Sequence, residues 1–131
     1  MKALGIELTG SELIYVLLDL SESIASLATN KLELTHTRDR EALIAFQTAL
    51  RAVYNEHSPD TIGIKEKPEK GRLSAGASAL KMEGIALATS PCPVHFISGA
   101  KINGCLTTLE GLKKYQQPAS KAAIIAARLS Q

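Results

Sequence analysis

The chain has 131 residues, 45 % of them apolar, so it can bury a core, is too apolar for disorder, and reads as one domain over residues 1–131. Its longest apolar run, Leu13 to Leu18, is strand-sized, which argues against a membrane span, and Glu7 follows the start too soon for a secretory leader. The net charge of +2 is unevenly spread: residues 1–64 hold five basic and nine acidic side chains (−4), residues 65–131 ten basic and four acidic (+6). The basic half could attract phosphate or nucleic acid; the plainer reading is lysines on solvated faces. Cys92 and Cys105 lack metal-ligand spacing, so the expectation is a cytoplasmic protein with two free thiols.

In chain order, Ala3–Leu8 and Glu12–Leu20 read as strands joined by the turn Thr9-Gly10-Ser11. Ile24–Thr35 reads as a third strand, with strict alternation over Lys31–Thr35. The period then changes. Leu43, Phe46, Leu50, Val53 and Tyr54 recur at helical steps, behind Thr37 or Asp39 as N-cap, and Ser58-Pro59-Asp60 ends that helix. Thr61–Glu66 is a fourth strand, 67–72 a polar loop, and Leu73–Thr89 a second helix whose small residues suit close packing. Val94–Ile97 is a fifth strand, and Ser98 can cap a short helix reaching Cys105. The stretch 106–117 has no clear period, and Pro118 suits the first position of a last helix, Pro118–Leu129. Right-handed crossovers from the meander would then bring the fourth strand beside the first.

Two acids stand out. Glu7, in Gly5-Ile6-Glu7, and Glu66, in Ile62-Gly63-Ile64-Lys65-Glu66, lie where apolar strands end. A carboxylate in such surroundings must be paired, protonated or metal-bound if it is buried. If the strands are neighbours, the two make a candidate Mg²⁺ or Mn²⁺ pocket, and Glu83 on the following helix is the third acid available to it. Cleavage by two metals about 4 Å apart needs a fuller acidic set. The competing reading pairs Glu7 with Lys65, Lys81 or Lys101, and the sequence leaves both open. Within a strand, Lys65 and Lys67 point away from the face of Glu66.

A second candidate is an anion site for phosphate or nucleic acid at the start of the second helix, formed by Lys65, Lys67, Lys70, Arg72 and Lys81. Residues 71–78 have P-loop spacing, but Ala77 stands where the lysine is required, which argues against an NTPase.

This element order, with Gly5-Ile6-Glu7 on strand one, Ile62 to Glu66 on strand four and the small-residue helix Ala77–Gly84 after it, resembles the ribonuclease H-like fold of RuvC-type Holliday-junction resolvases. It also resembles a family of short, uncharacterised bacterial proteins with an Ile64-Lys65-Glu66 strand end and a Lys70-Gly71 loop. The first likeness implies a five-stranded mixed sheet with helices on both faces and, for an active member, metal-dependent nuclease chemistry at Glu7, Glu66 and Glu83. The resolvases carry aspartates at the head of the last helix. This chain has Gln116-Gln117-Pro118-Ala119-Ser120-Lys121 there, with no acid. The expectation is therefore a non-catalytic or weakly active resolvase-like protein that binds nucleic acid or a phosphate ligand. The alternatives are a divalent-metal nuclease and a homodimeric, partner-binding protein.

Overall fold

The structure, a computed structural model, describes residues 1–71 and 75–131. Strands β1 (Lys2–Thr9), β2 (Glu12–Asp19) and β3 (Ala25–Glu33) open the chain, followed by α1 (Arg40–His57), β4 (Thr61–Lys65), α2 (Ala77–Ala88), β5 (Val94–Ile97), α3 (Gly99–Gly104), a 3-10 turn (Lys114–Gln116) and α4 (Gln117–Leu129). They build one five-stranded sheet in the order β3-β2-β1-β4-β5. The first three strands are an antiparallel meander, while β4 runs parallel to both β1 and β5. The expected neighbourhood of strands one and four is therefore present.

Local chemistry explains most boundaries. Thr9 pairs with Glu12 across a two-residue hairpin loop, and Gly10 supplies its positive φ of 57°. Asp19 ends β2 by accepting the Ser21 N–H at 3.0 Å, one residue before the expected end at Leu20. Asp39 is the N-cap of α1 and accepts the Glu41 N–H, and Ser58 closes the helix in the left-handed region. α2 is shorter than the expected Leu73–Thr89. Gly76, extended and without a capping side chain, sets its start; residues 73 and 74 of the expected helix, and residue 72 of the loop before it, lie outside the described residues.

Period-two alternation splits the sheet into two faces. Leu4, Ile6, Leu8, Ile62 and Ile64 pack against Phe46, Leu50, Val53 and Tyr54 of α1 and Met82 and Ala86 of α2. Ala3, Ile14, Val16 and Leu18 face Ala119, Ala123, Ile124 and Ala127 of α4.

On this second face Gly5 and Gly63 sit opposite each other in the β1–β4 register. Their missing side chains form a trough in which the α4 backbone rests. A methyl at Gly5 would overlap the Ala119 carbonyl, 2.7 Å from its carbon and 2.9 Å from Ala123 N; one at Gly63 would lie 2.8 Å from the Ala122 carbonyl carbon. The helix that needs small residues for close approach is thus α4 rather than α2.

Thr61 at the start of β4 receives a hydrogen bond from Ser130, just past the end of α4, at 2.9 Å. Gly63 lies under Ala122. α4 therefore runs antiparallel to β1 and β4, and its head lies over their C-terminal ends. That places the candidate site.

Candidate functional site

Glu7 is two residues beyond Gly5 and so projects from the α4 face, near the positive end of the α4 dipole. The register that aligns Ile6 with Ile64 brings Lys65 beside it one step further on. Lys65 Nζ lies 3.1 Å from Glu7 Oε2, with the glutamate side chain 13 % and the lysine 28 % exposed. Of the three lysines open to Glu7 in the sequence, the structure selects Lys65. Lys81 is engaged elsewhere: its ammonium donates to the Thr37 carbonyl and ties α2 to the connection between β3 and α1.

Glu66 follows β4 and, by the same alternation, projects from the opposite face. There it lines a cleft of about 510 Å³ with Lys67, Glu69, Glu83, Leu87 and Phe96. The structure thus brings Glu66 and Glu83 together but does not bring Glu7 to either. A pocket shared by Glu7 and Glu66 requires both acids on one face, and the pleat separates them by a single residue. Among the described residues no group of three or more His, Cys, Asp or Glu side chains is placed to hold a metal ion.

In the Glu66 cleft, burial first, then the charges of Glu69 and Glu66, push the Glu83 carboxyl above its ordinary value of 4.5. The folded state therefore holds more proton than the unfolded chain, and stability falls as pH rises from 4.5 towards the raised value. Glu83→Gln should accordingly raise the melting temperature slightly at neutral pH and leave it unchanged below pH 4.5, which thermal melts across pH will read.

The head of α4 carries amides where a metal site would want acids, and both amides are occupied. Gln117 Nε2 donates to the Leu109 and Leu112 carbonyls at 3.1 and 3.2 Å, while its Oε1 accepts the Leu109 N–H. Gln116 Oε1 accepts the Lys113 N–H at 2.8 Å, and its Nε2 donates to Tyr115 Oη at 3.3 Å. These two residues pin the stretch before α4, which had no legible period. Ser120, one turn further on, is fully buried, and its Oγ is the one buried side-chain polar atom without a partner among the described residues.

Of the candidate anion residues, Lys67 lines a cleft of about 560 Å³ with Gly10, Thr35, Thr37, Pro68 and residues 75–79 at the head of α2. Lys70 is exposed, Lys65 is paired with Glu7, and Arg72 lies outside the described residues.

The strand order and the helices on both faces define a ribonuclease H-like fold. It is shared with the RuvC structure from Thermus thermophilus (TM-score 0.78, 11 % identity, 99 % of this chain and 97 % of that one) and with T. thermophilus RuvC in complex with a Holliday junction substrate (0.73, 12 %, 99 % and 94 %). A ROK hexokinase from T. thermophilus matches 78 % of this chain with 36 % of its own (0.50, 16 %). Identities this low speak for the fold alone. Residues 1–126 match the family described as "Protein of unknown function (DUF3010)", and the chain belongs to that family. A search of curated proteins finds no match. No described helix is long and apolar enough to cross a membrane.

Proposed function

We propose that this protein is a cytoplasmic, resolvase-like nucleic-acid or phosphate binder with little or no nuclease activity. The observation that carries this reading is the Glu7–Lys65 pair. The strand-one acid already has a cationic partner at 3.1 Å, and its strand-four neighbour is a lysine. A divalent ion requires oxygen ligands, usually including anionic ones, and is repelled by an ammonium. Glu7, Lys65 and two committed glutamines do not meet that requirement, so no metal-assisted step is assigned to them. The binding half of the reading is supported by the excess of basic residues in the second half of the chain. Lys113 and Lys114, the second of which opens the 3-10 turn leading into α4, are exposed. A further support is the structural neighbour that was solved with a Holliday junction substrate.

Binding of this kind rests on lysine and arginine releasing counterions from phosphate, so it should be nonspecific and steeply salt-dependent. Fluorescence anisotropy with a labelled four-way junction and a linear duplex is the test. The expected result is binding to both at low salt, weakened alike for every sequence by charge reversal at Lys67, Lys70, Arg72, Lys113 or Lys114. Cleavage with Mn²⁺ should be slow or absent. Rapid, junction-selective cutting would reinstate the nuclease alternative and direct attention to Glu66 and Glu83. No retention at low salt would discard the binding reading. It would leave the homodimeric one, for which the free β3 edge with its half-exposed Leu27 is the available surface.

A further inference from the structure

We propose that Lys65 is a resident cation: its ammonium fills the place beside Glu7 where a ribonuclease H-like protein would recruit a divalent ion, and this makes the site independent of metal. The inference does not depend on whether the chain binds nucleic acid.

Four observations converge on it. First, the pair is geometrically built. Gly5-x-Glu7 on β1 and Gly63-x-Lys65 on β4 have the same two-residue spacing, and the glycines are register partners under α4. Glu7 and Lys65 are therefore carried to the same face and the same height of the sheet by adjacent parallel strands. Second, the pair is sheltered. The Glu7 side chain is 13 % exposed, so a charge on it is favoured by a nearby positive partner.

Third, among the described residues the two amides at the head of α4 are already engaged. Gln116 and Gln117 spend their amides on Leu109, Leu112, Lys113 and Tyr115, and the positive end of the α4 dipole favours the Glu7 anion over an added cation. Fourth, the acid that could have completed a carboxylate pair, Glu66, is displaced by one residue onto the other face. A tethered ammonium also has an advantage that a free ion lacks. Its local concentration is set by the chain, so its occupancy does not follow the metal concentration of the medium.

Lys65 supplies three N–H donors, and one contact to Glu7 leaves others available to an anion. It cannot supply what a metal would at this place, namely several ligand positions and acidified water. The resident cation thus keeps the electrostatic balance of the pocket and gives up the metal chemistry.

Isothermal titration with Mn²⁺, alongside thermal melts with and without Mn²⁺, tests the idea on the full chain. The wild type should show no Mn²⁺ heat that depends on Glu7. Lys65→Glu creates two carboxylates on one face at adjacent strand ends. It should bind Mn²⁺ at least about tenfold more tightly than the wild type, a gap of about 1.4 kcal/mol, and its melting temperature should rise when Mn²⁺ is added. Adding Glu7→Gln to that variant should remove the gain. Wild-type Mn²⁺ binding that Glu7→Gln abolishes would overturn the proposal, and this arm stands even if Lys65→Glu does not fold. A folded Lys65→Glu variant that gains no Mn²⁺ response would overturn it as well. Junction-binding anisotropy is read separately, so failure of nucleic-acid binding cannot be mistaken for failure of the resident-cation assignment.

Discussion

Gly5→Ala should destabilise the protein by about 3 kcal/mol or more, and Gly5→Val should leave it largely unfolded. The added carbon would overlap the Ala119 carbonyl and lie 2.9 Å from Ala123 N. These are backbone atoms of a helix, so no rotamer change relieves the clash, and α4 as a whole must lift. Lifting it uncovers the second face of the core, where Ala3, Val16, Leu18, Ile124 and Ala127 are buried. Against a typical domain stability of about 5–15 kcal/mol, that loss is a large fraction. Gly63→Ala should follow the same course somewhat less severely, since one of its close neighbours is the Ala126 methyl rather than backbone. Gly84→Ala is the control. That glycine lies inside α2 with nothing within 4 Å of an added methyl, so the change should stabilise by a few tenths to about 1 kcal/mol through helix propensity. Urea denaturation of the four variants measures all of this. A Gly5→Ala protein as stable as the wild type would show that α4 does not rest on the sheet as described.

The same trough shows why the fold was more legible in the sequence than the site. The strands and α1 declare themselves by local periodicity: alternation through Thr35, then Phe46, Leu50, Val53 and Tyr54 at helical steps. Asp39 and Ser98 cap the helices they were expected to cap, because a cap is also local. Glu7 was legible as an acid out of place among apolar neighbours. Its partner was legible only as one of three lysines, Lys65 among them, because the choice is decided by the pairing of two strands more than fifty residues apart.

Residue type drew attention to Glu66, the acid, when the pleat had already assigned Lys65 to the other face. The available signal was the shared Gly-x-charge spacing of Gly5-x-Glu7 and Gly63-x-Lys65, which becomes informative once both glycines are seen to accommodate one helix. The absence of acids at Gln116 and Gln117 was visible. Their work as clamps on residues 109–113 was not, since it depends on a loop with no period of its own. Small residues misdirected in one respect: they mark close packing for α2 and α4 alike, and only the glycines on the facing strands identify α4 as the helix in backbone contact.

Lys65→Met should destabilise the protein more than Glu7→Ala, and the two together should cost less than the sum. The physical reason lies in which charge is left behind. Removing Lys65 strands the Glu7 carboxylate, which is 13 % exposed, whereas removing Glu7 strands an ammonium that is 28 % exposed on a flexible stem and can turn towards water. Breaking a fully buried pair costs about 3–5 kcal/mol and an exposed pair about 0–1 kcal/mol. This pair lies between, so about 2 kcal/mol for Lys65→Met and about 1 kcal/mol for Glu7→Ala are expected by interpolation between those limits. The double variant removes both charges and with them the penalty for an unpaired one, so the cycle should return a coupling energy of about 1 kcal/mol or more. That coupling should persist in about 0.5 M salt, because the pair is sheltered and screening acts mainly on exposed charges. Urea unfolding of the four proteins at two salt concentrations decides it. A coupling energy near zero would mean that Glu7 and Lys65 are two independent solvated charges, and the reading of Lys65 as a resident cation would fall with it.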